Sequence, residues 1–399
     1  DARPSPADRA ALPAALRARF TAPMSFGTPQ ILDAGPRGGA MTDIMSALST
    51  GGKKKLCFFK GDDEGTAIGS HTVYDFGGEA QSVGMVQTWN QCNEMLLTSM
   101  DKPSAVLLMD TETGATKSEL SVKRQQKNWT LQVDSITPMQ KFEQYKSTLE
   151  YQLYGLGDDG HTVFAMNHDS RMGENVEEYV IRADSHRKYK SYTFTCHAQT
   201  KAGYLVLGRT DGGVALYDAI MQSENASCVL DGQPGPVTSI DVAADGSMIA
   251  WTTPEFVFFS CPGREHWEKG KKKGEKPRVL QLSVCDEDKG KLALVTLPGD
   301  ADSEPHAPSW TPVKFDATTH KDEDGLVERE IIAYSGAAQV RWNVRHARAA
   351  WEALSDGGTK GTLDGVVTSI SGPVFRHMTV GEDLDVVALE GEIVKNLHF

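Results

Sequence analysis

Gly203-Tyr204-Leu205-Val206-Leu207-Gly208-Arg209-Thr210-Asp211-Gly212-Gly213-Val214-Ala215-Leu216-Tyr217-Asp218 reads as two strands joined by a tight turn. Two apolar runs of strand length flank Asp211-Gly212-Gly213, and Asp-Gly suits the φ > 0 positions of a hairpin turn. The second run closes on Tyr217-Asp218, an aromatic followed by an acid. The fold depends on whether this unit recurs.

Three features say that it does. Asp-Gly hairpin turns recur in equivalent places at Asp159-Gly160, Asp211-Gly212 and Asp245-Gly246. Strands end on a bulky residue and then Asp or Asn at Met109-Asp110, Tyr217-Asp218 and Trp342-Asn343. Groups of short runs also return every roughly 35 to 55 residues, the period of a four-stranded propeller blade with variable loops. Between Leu56 and Leu397 more than twenty runs read as strands, while helix is confined to one candidate at Ala347–Leu354. The expectation is an all-β β-propeller. Seven blades are favoured with six as the alternative, and N- and C-terminal strands together complete the last blade.

The organisation expected is a basic Ala/Pro/Gly-rich extension over residues 1–52, either an ordered arm or a disordered tail, and a WD-repeat-like propeller over 53–399. Residues 1–60 carry nine Lys/Arg against four Asp/Glu, so a basic arm precedes an acidic body in a chain of net charge −13. That balance argues against nucleic acid, whose phosphates call for the opposite sign. No apolar run reaches the roughly 18 residues of a transmembrane segment. Six cysteines without a Cys-x-x-Cys spacing read as buried reduced thiols of an intracellular or organellar protein. The sequons at Asn128 and Asn225 then read as chance matches. A start at Asp1 fits a processed chain or a piece of one, and its Arg/Ala composition resembles the remains of a transit peptide.

Motifs with a chemical meaning resolve into turns. Gly155-Leu156-Gly157-Asp158-Asp159-Gly160 matches the dinucleotide fingerprint in letters only, because a strand follows where a phosphate-binding helix is needed. The acid clusters 62–64, 286–288 and 322–324 lack the twelve-residue calcium loop and read as solvated turns. His161 and His168 belong to no metal-binding spacing, and neither a Walker loop nor Gly-x-Ser-x-Gly occurs. No catalytic residue, metal or cofactor is expected.

The landmarks Tyr192-Thr193-Phe194-Thr195, Gly203–Gly208 and Leu216-Tyr217-Asp218 continue in order. Leu230–Pro234, Asp245-Gly246, Trp310–Phe315, Tyr334-Ser335-Gly336 and Val386–Ile393 follow them. Together they resemble the C-terminal propeller of the vacuolar import and degradation protein twenty-seven family, whose plant relatives are the defective embryo and meristems proteins. The resemblance spans about residues 53–399. It implies a cytoplasmic protein tied by name to vacuolar import and degradation, with no established molecular activity. Members carry a long N-terminal half with a pleckstrin-homology-like part, which this chain has no room for.

The functional expectation is a non-catalytic scaffold that binds other proteins. Its alternatives are an accessory subunit of a large organellar or cytoskeletal assembly, and an enzyme with a site in the central channel. Partner contacts are expected from Arg17, Arg19 and Phe20 of the arm. The lysine loop is expected to contribute Lys271, Lys272 and Lys273, with Trp267 beside it as an anchor. The compartment expected is the cytoplasm, or an organelle after removal of a transit peptide.

Overall fold

The computed structural model describes 26 strands and two helices. Beyond them it describes residues 104, 115, 160–161, 310, 313 and 353–354, and 192–285 except 201, 219–224, 244 and 269–275. The chain begins with β1 (Ala22–Pro23) and the hairpin of β2 (Lys55–Gly61) and β3 (Ile68–Asp75). A first group holds β4 (Val83–Trp89), β5 (Glu94–Ser99), β6 (Ala105–Asp110) and β7 (Thr116–Ser121). The second holds β8 (Val133–Pro138), β9 (Gln152–Gly157), β10 (Thr162–Asn167) and β11 (Tyr179–Arg182). The third holds β12 (Phe194–Gln199), β13 (Leu205–Arg209), β14 (Val214–Tyr217) and β15 (Cys228–Leu230).

In the fourth group β16 (Ser239–Val242), β17 (Ile249–Thr252) and β18 (Val257–Ser260) lead to the short helix α1 (Arg264–Trp267) and β19 (Leu280–Val284). The fifth comprises β20 (Lys314–Ala317), β21 (Glu328–Ser335), β22 (Ala338–Asn343), helix α2 (Val344–Glu352) and β23 (Thr362–Ser369). Last come β24 (His377–Val380), β25 (Val386–Glu390) and β26 (Ile393–Leu397). Each group is an antiparallel sheet in chain order, and β1 adds to the last one, with Ala22 opposite Val394. The first strands of the successive four-stranded groups neighbour one another from β4 through β24. The architecture is all-β.

The apolar core lies between neighbouring groups, and the alternation of side chains along a strand explains why. Leu205 and Leu207 face the second group beside Tyr154 and Phe194, while Val206 between them faces Trp251 and Phe258 of the fourth. β14 divides likewise, Ala215 and Tyr217 to one side, Val214 and Leu216 to the other. A sheet covered on both faces has no polar side, so its strands read as continuous apolar runs.

The turns join the groups through backbone. Gly212 has φ +78°, and a Cβ there would stand 1.9 Å from the carbonyl oxygen of Gln233. Glycine alone fits that approach, and it lets Gln233 N–H donate to Gly212 O at 3.1 Å. Gly160 repeats the arrangement against Phe194, whose N–H donates to its carbonyl at 2.8 Å. The Asp-Gly turns are nevertheless not all equivalent. Asp159-Gly160 and Asp211-Gly212 join second to third strands, whereas Asp245-Gly246 joins β16 to β17, first to second. An Asp-Gly pair answers a local φ requirement, so it marks either kind of turn. The bulky-plus-Asp/Asn endings all fall at the close of third strands β6, β14 and β22.

A second departure is larger. Separate sheets were expected, yet the fourth and fifth groups form one sheet of eight, because their outer strands β19 and β23 pair in parallel. Gly365 makes room for this: a Cβ there would meet Trp342 Nε1 at 2.5 Å. The indole instead passes it and donates to Ser283 O at 2.9 Å. Helix α2, with Val344 and Ala347 in the same core cluster, packs beneath the joined strands. Asn343 caps it by accepting from His346 N–H at 3.2 Å.

Candidate functional site

The lysine run Lys269–Lys276 connects α1 to β19, and the structure fixes both of its ends. On the first side Trp267 is 1 % exposed. Its ring stacks on Tyr204 at 5.5 Å, and its Nε1 donates to Gly246 O at 2.9 Å. Glu268 accepts from Arg264 Nε at 2.7 Å and from the Tyr204 hydroxyl at 3.4 Å. On the second side Lys276 Nζ pairs with Asp231 at 2.7 Å. The carbonyl of Arg278 accepts from Ser260 Oγ at 2.6 Å and from Trp351 Nε1 at 2.7 Å. The Arg278 guanidinium donates in turn to Leu354 O at the end of α2.

These bonds place α2 beside the loop. Arg348 and Glu352 lie near the Cys261 thiol, which sits between β18 and α1, and they act on it in opposite directions. Arg345 and His346 are exposed on the same helix, and Trp351 is half-buried. The loop ends and α2 therefore make one surface against the joined sheet.

Of the residues expected to contact partners, Trp267 has a different place from the one its sequence context suggested. An aromatic beside charges reads as an exposed anchor, but the ring fills the third-to-fourth-group core and holds the foot of the loop. Arg17, Arg19, Phe20, Lys271, Lys272 and Lys273 lie outside the described residues, as do the three acid clusters, His168 and the rest of residues 1–52 apart from β1. The contribution of α2 was missed. Its Arg345 and Arg348 belong to a helical pattern some 70 residues from the lysines, and no local signal links the two segments.

Burial shifts three ionisable side chains of the third and fourth groups. Burial pushes the thiols of Cys196 and Cys261 up to about 12, leaving them protonated. Burial lowers His197 to about 4, so its imidazole is neutral. The Asp241 carboxylate accepts from Phe315 N–H at 2.8 Å and lies 3.7 Å from Lys314 Nζ, which ties β16 to β20. Arg209 is sandwiched between the Tyr192 ring, 3.7 Å from its centroid, and the Asp211 carboxylate. Among the described residues no three His, Cys, Asp or Glu side chains are grouped to hold a metal ion. None of the described helices is long and apolar enough to cross a membrane.

The family profile described as the VID27 C-terminal WD40-like domain matches residues 59–353. The chain belongs to this family. The match ends before β23, so the landmark Val386–Ile393 lies beyond it. No curated protein sequence matches the chain. Among solved structures, the VID27-family chain is similar to the β-propeller domain of Myceliophteria thermophila Cps50 (Swd1). The TM-score is 0.59 at 11 % identity, covering 95 % of this chain and 100 % of that one. A chain from the Mitotic Checkpoint Complex is similar at TM-score 0.57 and 10 % identity, covering 100 % and 96 %. At such identities the likeness speaks for the fold alone, a strand-rich propeller-like one.

Proposed function

We propose that this VID27-family chain is a non-catalytic scaffold whose WD40-like propeller holds other proteins. The observation that carries the reading is the lysine loop: a strongly basic segment anchored on one side by Trp267 to Gly246 and on the other by Lys276 to Asp231, on an otherwise acidic body. A rigid frame that presents loops suits recognition. In this reading the propeller spans 53–399 with seven blades, β2–β3 counting as one, and six remains the alternative. Pairing of β1 with β26 supports closure by the two termini. Residues 1–52 are the arm, with Arg17, Arg19 and Phe20 as contacts. Lys271, Lys272 and Lys273 are the contacts of the loop, and Trp267 serves them from below. The protein works in the cytoplasm, or in an organelle after loss of a transit peptide.

A neighbour taken from a multi-protein complex favours the accessory-subunit form of the same reading. Affinity purification of the chain with and without residues 1–52, and with the lysines replaced by glutamine, tests it. The expected result is a set of co-purifying proteins that one of these changes depletes. Identical co-purification from all three chains overturns it.

A further inference from the structure

We infer that the joint between the second and third groups opens locally at the end of β12 that carries His197 and Gln199. The inference concerns the frame itself and stands apart from what the scaffold holds.

The first strands of the groups differ on the face they turn to the preceding group. In β16 that face carries Ile240 and Val242, and at the start of the fifth group it carries Val313 and Phe315, all buried and apolar. In β12 it carries His197 and Gln199, opposite Leu207 and Leu205 of β13. The turn bonds fix the correspondence: Thr200 N–H donates to Tyr204 O at 2.9 Å, as Ala243 N–H does to Met248 O at 2.9 Å. Gln199 therefore stands where β16 has Val242.

Gln199 is 1 % exposed, and neither its amide oxygen nor its amide nitrogen has a hydrogen-bond partner. A buried amide left unpaired forfeits the hydrogen bonds that water would give it. Parting the joint at Gln199 restores them, whereas parting a joint at Val242 or Phe315 only exposes apolar surface. Local opening therefore costs least at this end of β12.

The other end of β12 is pinned, because Phe194 N–H donates to Gly160 O of the second group at 2.8 Å. Gln199 lies about 17 Å along the strand from that bond. The opening is a swing about Gly160 and Phe194. The fourth and fifth groups have no such freedom, since β19 and β23 share a ladder.

Leu205 and Val206 of β13 supply the test. Both are 0 % exposed, the first facing the second group beside Gln199 and the other facing the fourth. Leu205→Cys and Val206→Cys, each in the full chain, place a thiol in one joint or the other. Alkylation by iodoacetamide under native conditions, read site by site by peptide mass spectrometry, measures how often each joint parts. The thiol of Leu205→Cys is expected to react at least about tenfold faster than that of Val206→Cys. Adding Gln199→Val should slow the first about tenfold and leave the second unchanged. A further measurement needs no introduced thiol: Gln199→Val alone is expected to raise the urea midpoint of the chain, and Val242→Gln to lower it.

Equal rates at the two sites, a faster Val206→Cys thiol, or a Leu205→Cys rate indifferent to Gln199→Val overturns the inference. So does a urea midpoint that Gln199→Val lowers or leaves unchanged.

Discussion

The third group (β12–β15) and the joined fourth and fifth groups (β16–β23) are built from similar strands but are held together differently. The third group remains a separate sheet. Its links to its neighbours are side chains from both faces and backbone bonds through the turns at Gly160 and Gly212. The joined pair adds a continuous ladder across β19 and β23, an indole bond from Trp342 to Ser283, and a helix under the seam. One region relies on turns that tolerate only glycine, the other on a large aromatic and a hydrogen-bonded seam. The comparison teaches that like units along one chain need not share a mode of cohesion.

The comparison breaks most readily at Trp342. Trp342→Ala removes a side chain only 1 % exposed together with its bond to Ser283, and the expected cost is about 3–5 kcal/mol in denaturant unfolding. Hydrogen exchange at Gln281–Val284 should accelerate while that of β13 changes little, because the seam opens locally.

The third group is expected to be the acid-sensitive region. His197 is held near 4 rather than 6.5, so between these values the unfolded chain binds a proton that the folded chain does not. Its contribution is present above about pH 6.5 and lost as pH falls toward 4, up to about 3 kcal/mol. Stability measured from pH 7 to 4 should show this slope in the wild-type chain and lose most of it in His197→Asn.

Gly212→Ala places a Cβ at φ +78° against Gln233 O and is expected to cost about 2 kcal/mol. Exchange should rise at Gln233 and Val237, sparing the β19–β23 seam. The smallest effect sharpens the helix's part in the comparison. Asn343→Ala removes the cap of α2 and should lower stability by about 1 kcal/mol. A loss that also releases the seam amides would show the helix bracing it.

Much of the fold was legible because inner strands are buried on two faces. The apolar runs of Glu94–Ser99 and Ala105–Asp110 are strands β5 and β6, and Gly203–Asp218 forms the expected hairpin of β13 and β14. The strands that the sequence hid are β1, β7, β11, β15 and β23, each the outer strand of its group. Thr116, Lys117 and Glu119 of β7 are exposed, and β15 is three residues long. The exposed edge strand β7 needs no apolar alternation, so nothing in its composition marks it as a strand.

The candidate site divides the same way. Its lysines stand out as a charge run, whereas Arg345 and Arg348 become part of it only through the bonds of Trp351 and Leu354 to Arg278.

By itself, then, the sequence determined the repeating apolar runs, the turns that need glycine, the acidic body and the basic loop, because these follow from local φ/ψ demands and burial. Only the tertiary structure decided that two groups fuse through parallel outer strands, that Trp267 turns inward, and that a distant helix joins the lysine loop. These depend on which surfaces meet, and residues close in space but far apart in the chain leave no periodicity to read.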